Sequence, residues 1–573
     1  MSTLAIATIA GLVLYGVILA IISRKSTVKA SASGNSSKSE FFVAGRSVGP
    51  LILLATMCLS LWSAATFYGW PSAGYRIGWG YYAGVTGMFF TGVTVPCIFY
   101  PYWLLGGKYG YVSPVSIITH RYGSRFLTLL CSAVFLICSV PYIATQVIAV
   151  GNGISIATDG QIAFGVVAAI MIIYTFAHVV GGGNSSVVNS DAFAGLVGVS
   201  IIFIFTIICA SKILPDVGGL VGATKYIQET NPELLVHSGT QASGLQNIGI
   251  SLSTSISCIV WPHILVRSFM GKDTRVFKLQ ATAIPLIIMV MFSFILFQGV
   301  YLGRIAFPGL DAAAAENVLP LLAMNYAPII VTVVMLLGIL AFGLSTADSI
   351  CVAGLSMLQV DILKKEDEDT PKKTLYLCLT GFALAVSLCV IFRPAALLTY
   401  CYSFASPGWA QMIPAIVGGM FWKRGTKEGA ITSVIGGMIG VCYGLFGNHG
   451  TDINPVLWGL ALSVPLYILV SLAFAPDKQR AGEVCGFLHD ELHERNAKPA
   501  FKILVLLSIV LYFYDMCLVN HIGDANTVIL GWVPIQLAGH WVTGISMAII
   551  GYFLCKNRFG SMQVKVAEPR KQG

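Results

Sequence analysis

An acidic side chain inside an apolar run is the first feature of this chain that could do chemistry. Asp348 lies within LGILAFGLSTADSICVAG, and a charge at mid-bilayer costs about 2.5–3.5 kcal/mol on insertion scales. On a helix, Ser345, Asp348 and Ser349 fall at i, i+3 and i+4 and share one face, with Thr346 beside them. Hydroxyls, a carboxylate and the local Gly343 make an all-oxygen set suited to a hard cation. The same residues equally suit a hydroxyl-rich helix contact in which Asp348 bonds a neighbour. Asp191 follows a Gly-rich turn in GGGNSSVVNSDAFAG, and by itself reads as an N-terminal helix cap. The run GPLILLATMCLSLWSAATFYGW carries Ser60, Ser63 and Thr66 among small residues. It is compatible with a helix interrupted at mid-membrane, which frees carbonyls for an ion and N–H groups for an anion. A continuous helix whose hydroxyls bond the preceding turn is the alternative. His178, Asp515 and His540 also fall in or near apolar runs and read as packing residues.

The elements that must position these groups are membrane helices. Of 573 residues, 56% are hydrophobic and only 10% charged, where soluble domains carry about 25% charged residues. The mean hydropathy of +0.80 implies that most of the surface faces lipid. About fifteen stretches are long enough to span, each roughly 20 apolar residues. They lie near 3–23, 48–70, 80–106, 124–151, 162–181, 190–212, 246–266, 279–303, 326–360, 374–392, 398–422, 429–447, 455–475, 502–520 and 529–555. The first lacks a basic leader and an A-x-A site and is followed by Arg24-Lys25, so it reads as a retained helix rather than a signal peptide. The 14 cysteines show no C-x-x-C pair and no metal spacing; Cys131, Cys138, Cys258 and Cys389 read as small buried hydrophobes.

Basic residues alternate between loops. Lys108, Arg121 and Arg125, then Arg267, Lys272 and Arg275, then Lys364 and Lys365, then Lys478 and Arg480 mark one side, and the opposite loops hold only a few, such as Arg76, Lys225, Arg304 and Arg393. By the positive-inside rule the N-terminus is outside and the C-terminus cytoplasmic, in a plasma (inner) membrane. The loop 182–189 is the exception, internal yet without a basic residue. The net charge of +9 is spread over these loops and does not point to nucleic acid. No G-x-S-x-G, H-E-x-x-H or phosphate loop is present, which argues against an enzyme.

Four motifs in order resemble the sodium:solute symporter family: FFVAGRSVGP, GGGNSSVVNSD, WPHILVRSFMG and LSTADS. The resemblance covers about residues 1–475 and is nearest to monocarboxylate-like members. It implies an all-α membrane protein of LeuT type, a five-plus-five inverted repeat over about 48–212 and 246–422, with extra N- and C-terminal helices. Residues 476–573 would add a cytoplasmic loop, two further spans and a short basic tail.

The resemblance also implies site residues. Backbone carbonyls of Leu59, Trp62 and Phe342 and the hydroxyls of Ser345 and Thr346 would hold the coupling ion, Na⁺. A second cation or a proton would use Asp191 with Ser345, Asp348 and Ser349 as its partners. Ser63 and Thr66 match positions that hold a carboxylate in the sialic acid branch, and Tyr142 and Gln146 in PYIATQ resemble monocarboxylate-like members. Leu61 replaces the Asp of the proline transporter's broken helix, which argues against proline. The implied activity is sodium-coupled symport of a short monocarboxylate such as acetate, propionate or pyruvate, by alternating access. An amino acid, pantothenate or a sugar is the alternative within the family, and a transporter-like membrane sensor the alternative outside it. The implied partners are a small-molecule substrate and membrane lipid, with no obligate protein partner. The aromatic stretch 67–82 reads either as an outer gate or as an interfacial belt.

Overall fold

The computed structural model describes residues 1–32, 37–237, 244–255, 257–364, 372–392, 400–447, 449–496 and 498–559. Lys365, Arg393 and the tail after Phe559 lie outside them. The helices that carry the argument are α1 (Thr3–Ala32), α2 (Pro50–Leu61), α3 (Ala64–Ile77), α4 (Arg125–Ala157), α5 (Phe164–Ile213), α6 (Gly244–Ser255), α7 (Pro262–Ser268), α8 (Arg275–Phe297), α9 (Ile329–Ser356), α10 (Pro499–Cys517) and α11 (Ile535–Phe559). Among the described residues the only sheet is a two-residue antiparallel pair, Val528–Ile529 with Val533–Pro534.

Among the described residues ten helices are long and apolar enough to cross a membrane, or eleven if one bent pair counts as a span. This is fewer than the fifteen runs in the sequence, and the reason is continuity. Ala64–Tyr109 and Phe164–Val217 are single helical runs of 46 and 54 residues, turned at Gly78 (φ 79°) and Gly183 (φ 53°). At 1.5 Å per residue these are about 70 and 80 Å of helix, against a hydrocarbon core of about 30 Å. The second holds two of the expected runs, 162–181 and 190–212, in one helix. The run 398–422 begins outside the described residues, and its described part, from 400, is divided into short helical pieces.

Within α5 the two runs meet at Gly183, with φ 53° and ψ −146°. Only glycine adopts that conformation readily. A Cβ there would also stand 2.5 Å from the Phe41 carbonyl oxygen. The bend at Gly183 sets the direction of the half of α5 that carries Asp191.

The spans that open the two expected repeats are each interrupted. The first stops at Leu61 and restarts at Ala64. In the second, 248–259 and 262–268 meet at 43°. Around them the core is shared: α9 packs chiefly on α5 and α4, α1 lies against α5 and α9, and α10 and α11 pack on each other, with α11 against α8. Outward positions such as Leu196, Leu469 and Leu506 are exposed apolar side chains, as a lipid-facing surface requires. All fourteen cysteines are free. Cys131, Cys138 and Cys258 are buried as expected, and Cys389 only partly.

Gly183→Ala is expected to lose on the order of 2–3 kcal/mol through backbone strain alone. The check is the unfolding temperature of the purified protein in detergent, which should fall, with sodium response falling only in parallel with folded protein.

Candidate functional site

The interruption between α2 and α3 is made by two extended residues, Trp62 (φ −111°, ψ 141°) and Ser63 (φ −130°, ψ 173°). Ser63 then caps α3 reciprocally with Thr66. The Thr66 N–H donates to the Ser63 hydroxyl at 3.4 Å, and the Ser63 N–H donates to Thr66 Oγ1 at 3.3 Å. The next donor, the Ala64 N–H, is taken by Gln146 Oε1 at 2.9 Å. Gln146 is held in turn by donating Nε2 to the Tyr142 carbonyl at 3.1 Å and to Thr145 Oγ1 at 2.8 Å. The Tyr142 hydroxyl lies beside Ser63. The four residues expected at the substrate, Ser63, Thr66, Tyr142 and Gln146, are thus brought together around the N-terminus of α3.

The broken end of α2 leaves carbonyls without helical partners. The Trp62 N–H still reaches the Cys58 oxygen at 2.9 Å, and the Ser60 oxygen takes His263 Nε2 at 3.2 Å. Opposite this end stands α9. Gly343 lets it close in, since a Cβ there would be 3.2 Å from Ala64 Cβ, and Phe342 stacks edge-on against Phe67 at 5.2 Å. Thr346 Oγ1 donates to the Phe342 carbonyl at 3.1 Å, which fixes two of the expected ion ligands side by side. Ser345 Oγ is buried and has no hydrogen-bond partner among the described residues. A hydroxyl stranded in a dry interior is costly. Among the described residues no three His, Cys, Asp or Glu side chains converge. The expected ligands are all neutral oxygens, a chemistry that suits Na⁺ better than a transition metal.

The expected second site is arranged differently from its sequence-based picture. Asp191 is not a helix cap, because it lies inside α5, well past Gly183. Its Oδ2 accepts from Arg267 Nη2 at 2.8 Å and also from the Thr56 hydroxyl. Arg267 Nε donates to Thr56 Oγ1 at 2.9 Å, and Nη2 donates to Ser349 Oγ at 2.6 Å. Asp191 and Ser349 therefore meet through a guanidinium rather than directly, and the Ser349 hydroxyl donates to the Ser345 carbonyl. Asp348 faces away from this group and pairs with His178 Nδ1 at 2.6 Å. All of these side chains are buried.

Two of these partners went unassigned from sequence. Arg267 counts in the sequence as a loop charge, yet it is 1% exposed and ties α2, α5 and α9 to α7. Its signal was its place inside the apolar run HILVRSFM, where a loop arginine would not sit. His178 reads as a packing residue, and the acid it bonds lies 170 residues away. By contrast Asp515 and His540, at 3.0 Å, satisfy each other between α10 and α11, as packing residues should. The aromatic stretch 67–82 is no lipid-facing belt: Phe67, Trp70, Tyr75 and Tyr82 are buried. Its far end is fastened by Arg76 to Glu316 at 2.9 Å and by the Tyr75 hydroxyl to the Phe307 carbonyl at 2.8 Å.

The family model described as "Sodium:solute symporter family" matches residues 41–437. The sodium/pantothenate symporter of Escherichia coli (strain K12) is 25% identical over 455 residues, covering 76% of this chain and 89% of that protein. A monocarboxylate transport permease protein of Rhizobium johnstonii is 23% identical over 255 residues, 43% of this chain and 49% of that protein. Among solved structures, a substrate-bound, outward-open Na⁺-coupled sialic acid symporter superposes with a TM-score of 0.66 at 18% identity, covering 82% of this chain and 98% of that one.

Arg267→Met should leave Asp191 as an unpaired buried charge, a loss of about 3–5 kcal/mol. Adding Asp191→Asn should recover most of the lost unfolding temperature. If the double variant melts no higher than the single one, the pair is not what holds these helices together.

Proposed function

Because the chain belongs to the sodium:solute symporter family and is an integral membrane protein that couples a small solute to Na⁺, we propose that the solute is a short monocarboxylate. Acetate, propionate and pyruvate are the type, and alternating access is the mode of transport. The observation that carries this reading is the amide oxygen of Gln146 resting on the N-terminus of α3. That position favours a negatively charged oxygen through its helix-start N–H groups and its dipole. A carboxylate entering the break would displace the neutral Gln146 oxygen and gain the Ser63, Thr66 and Tyr142 hydroxyls. The partial match to a monocarboxylate permease points the same way. The longer match to a pantothenate symporter favours a second reading, pantothenate itself, whose bulk would need a larger vestibule.

In this reading Na⁺ is bound by the carbonyls of Leu59, Trp62 and Phe342 with the hydroxyls of Ser345 and Thr346. The ion completes the unbonded Ser345 Oγ and pins the end of α2 to α9. Substrate at the start of α3 and ion at the end of α2 share the Trp62–Ser63 hinge, so each organises the other's backbone groups. One Na⁺ carried with one carboxylate anion moves no net charge, so accumulation at that ratio follows the Na⁺ concentration ratio; each further Na⁺ would add about 2.3 kcal/mol per 100 mV, or roughly fiftyfold at 1.4 kcal/mol per tenfold. For the second site, expected at Asp191, Asp348 and Ser349, a cation would have to displace Arg267 from Asp191 and Ser349, whereas the Asp348–His178 pair can hold a proton. The symporter domain is taken as 1–475, in a plasma (inner) membrane with the N-terminus outside and the C-terminus cytoplasmic, as the loop charges indicate.

Proteoliposomes with an inward Na⁺ gradient should accumulate radiolabelled acetate or pyruvate, and unlabelled proline and glucose should not compete. Uptake of pantothenate but not of acetate would replace the substrate assignment. Ser345→Ala should raise the Na⁺ concentration for half-maximal uptake about tenfold, the effect of one lost oxygen ligand worth ~1.4 kcal/mol. An unchanged sodium dependence would remove Ser345 from the ion site.

A further inference from the structure

A polar cavity of about 590 Å³ opens where the N-terminus of α4 meets the end of the α9 span, on the side that carries the basic loops. Lys38, Arg125, Lys364 and Arg480 line it, against a single lining carboxylate, Asp361. These residues come from four separate parts of the chain. Asp361 is buried and accepts from the Ser113 hydroxyl. The two arginines are anchored by neutral carbonyls: Arg125 donates to Asp361 O and, at 2.7 Å, to Ile362 O, and Arg480 donates to His120 O at 2.8 Å. Such bonds hold a guanidinium in place without cancelling its charge. Two carboxylates stand outside the lining, Asp477 at 3.4 Å from Arg480 and Glu483 at 2.9 Å from His120. The His120 hydrogen bond, before that of Gln479, holds the Glu483 carboxyl below its ordinary range. Hydroxyls of Ser116, Thr119 and Ser124 complete the wall.

We infer that this cavity binds a phosphate group, supplied by the headgroup of an anionic phospholipid or by soluble phosphate. Fixed guanidiniums, two lysines and hydroxyl donors form the chemistry that phosphate oxygens require. A basic pocket between helix ends at the cytoplasmic membrane surface is also where anionic headgroups concentrate. The volume exceeds what one phosphate fills and admits a whole headgroup. The bound group would bridge the helix that bears Ser345 and Thr346 to the helix that bears Tyr142 and Gln146, and both to the segment around Arg480. It would steady the scaffold against which the ion site moves, without touching ion or substrate.

The test uses the purified full-length chain and needs no transport assay. Wild type, Lys364→Gln and Lys364→Gln/Arg480→Gln are reconstituted in nanodiscs of phosphatidylcholine, with and without phosphatidylglycerol, and phosphatidylglycerol retention is read by native mass spectrometry. A parallel arm titrates inorganic phosphate against the unfolding temperature in phosphatidylcholine alone. Losing two cations should weaken phosphatidylglycerol binding about thirtyfold, with Lys364→Gln intermediate and all three proteins melting alike in phosphatidylcholine. A saturable response to inorganic phosphate that the variants lose would assign the site to soluble phosphate. Equal retention of phosphatidylglycerol by wild type and both variants, with no phosphate response, overturns the inference.

Discussion

A backbone that leaves the helix inside a membrane must find partners for the groups it frees, because lipid offers none. At Trp62–Ser63 the chain does so, and much of the surrounding structure answers that demand. The donor side is covered by the Ser63–Thr66 capping box and by Gln146 from α4. The acceptor side is covered in part by His263 from the second interrupted span. The Ser345 hydroxyl on α9 is buried without a hydrogen-bond partner among the described residues, and in the proposed reading a cation would complete it together with carbonyls at the end of α2.

The charged residues around this centre obey the same accounting. Each buried acid near α9 has a single cationic or titratable partner: Arg267 for Asp191, and His178 for Asp348. Arg267 also bonds Thr56 and Ser349, so one guanidinium joins both interrupted spans to α5 and α9. An ion pair of this kind adds little net stability over an apolar contact, but breaking it is expensive. It suits a junction that must exist in defined states rather than slide between them.

The interrupted helix was legible in the sequence as an option, because Ser60, Ser63 and Thr66 amid small residues permit a break. The i, i+3, i+4 spacing places Ser345, Asp348 and Ser349 on one face of α9, but the structure gives Asp348 to His178 and Ser349 to Arg267, and it is the family resemblance that names Ser345 and Thr346 as ion ligands. The partners of those residues were not legible, because pairing across 170 residues is a tertiary fact. Arg267 and Arg121 count in the sequence as loop charges, yet both are buried, Arg121 donating to the Gly419 and Gly425 carbonyls. Hydropathy sees that a basic residue borders an apolar run but not whether carbonyls or a carboxylate await it. Asp191 was misplaced at a helix start for a related reason. The break in its helix is at Gly183, and a Gly-Gly-Gly run does not reveal which glycine turns.

The most direct measurement is an anomalous-difference map from crystals grown with thallium, a heavy monovalent stand-in for the coupling ion. The account predicts a peak bounded by Ser345 Oγ and the main-chain oxygens of Leu59 and Trp62, displaced by excess Na⁺. A peak at the Asp191–Arg267 or Asp348–His178 pair, with nothing beside Ser345, would contradict it.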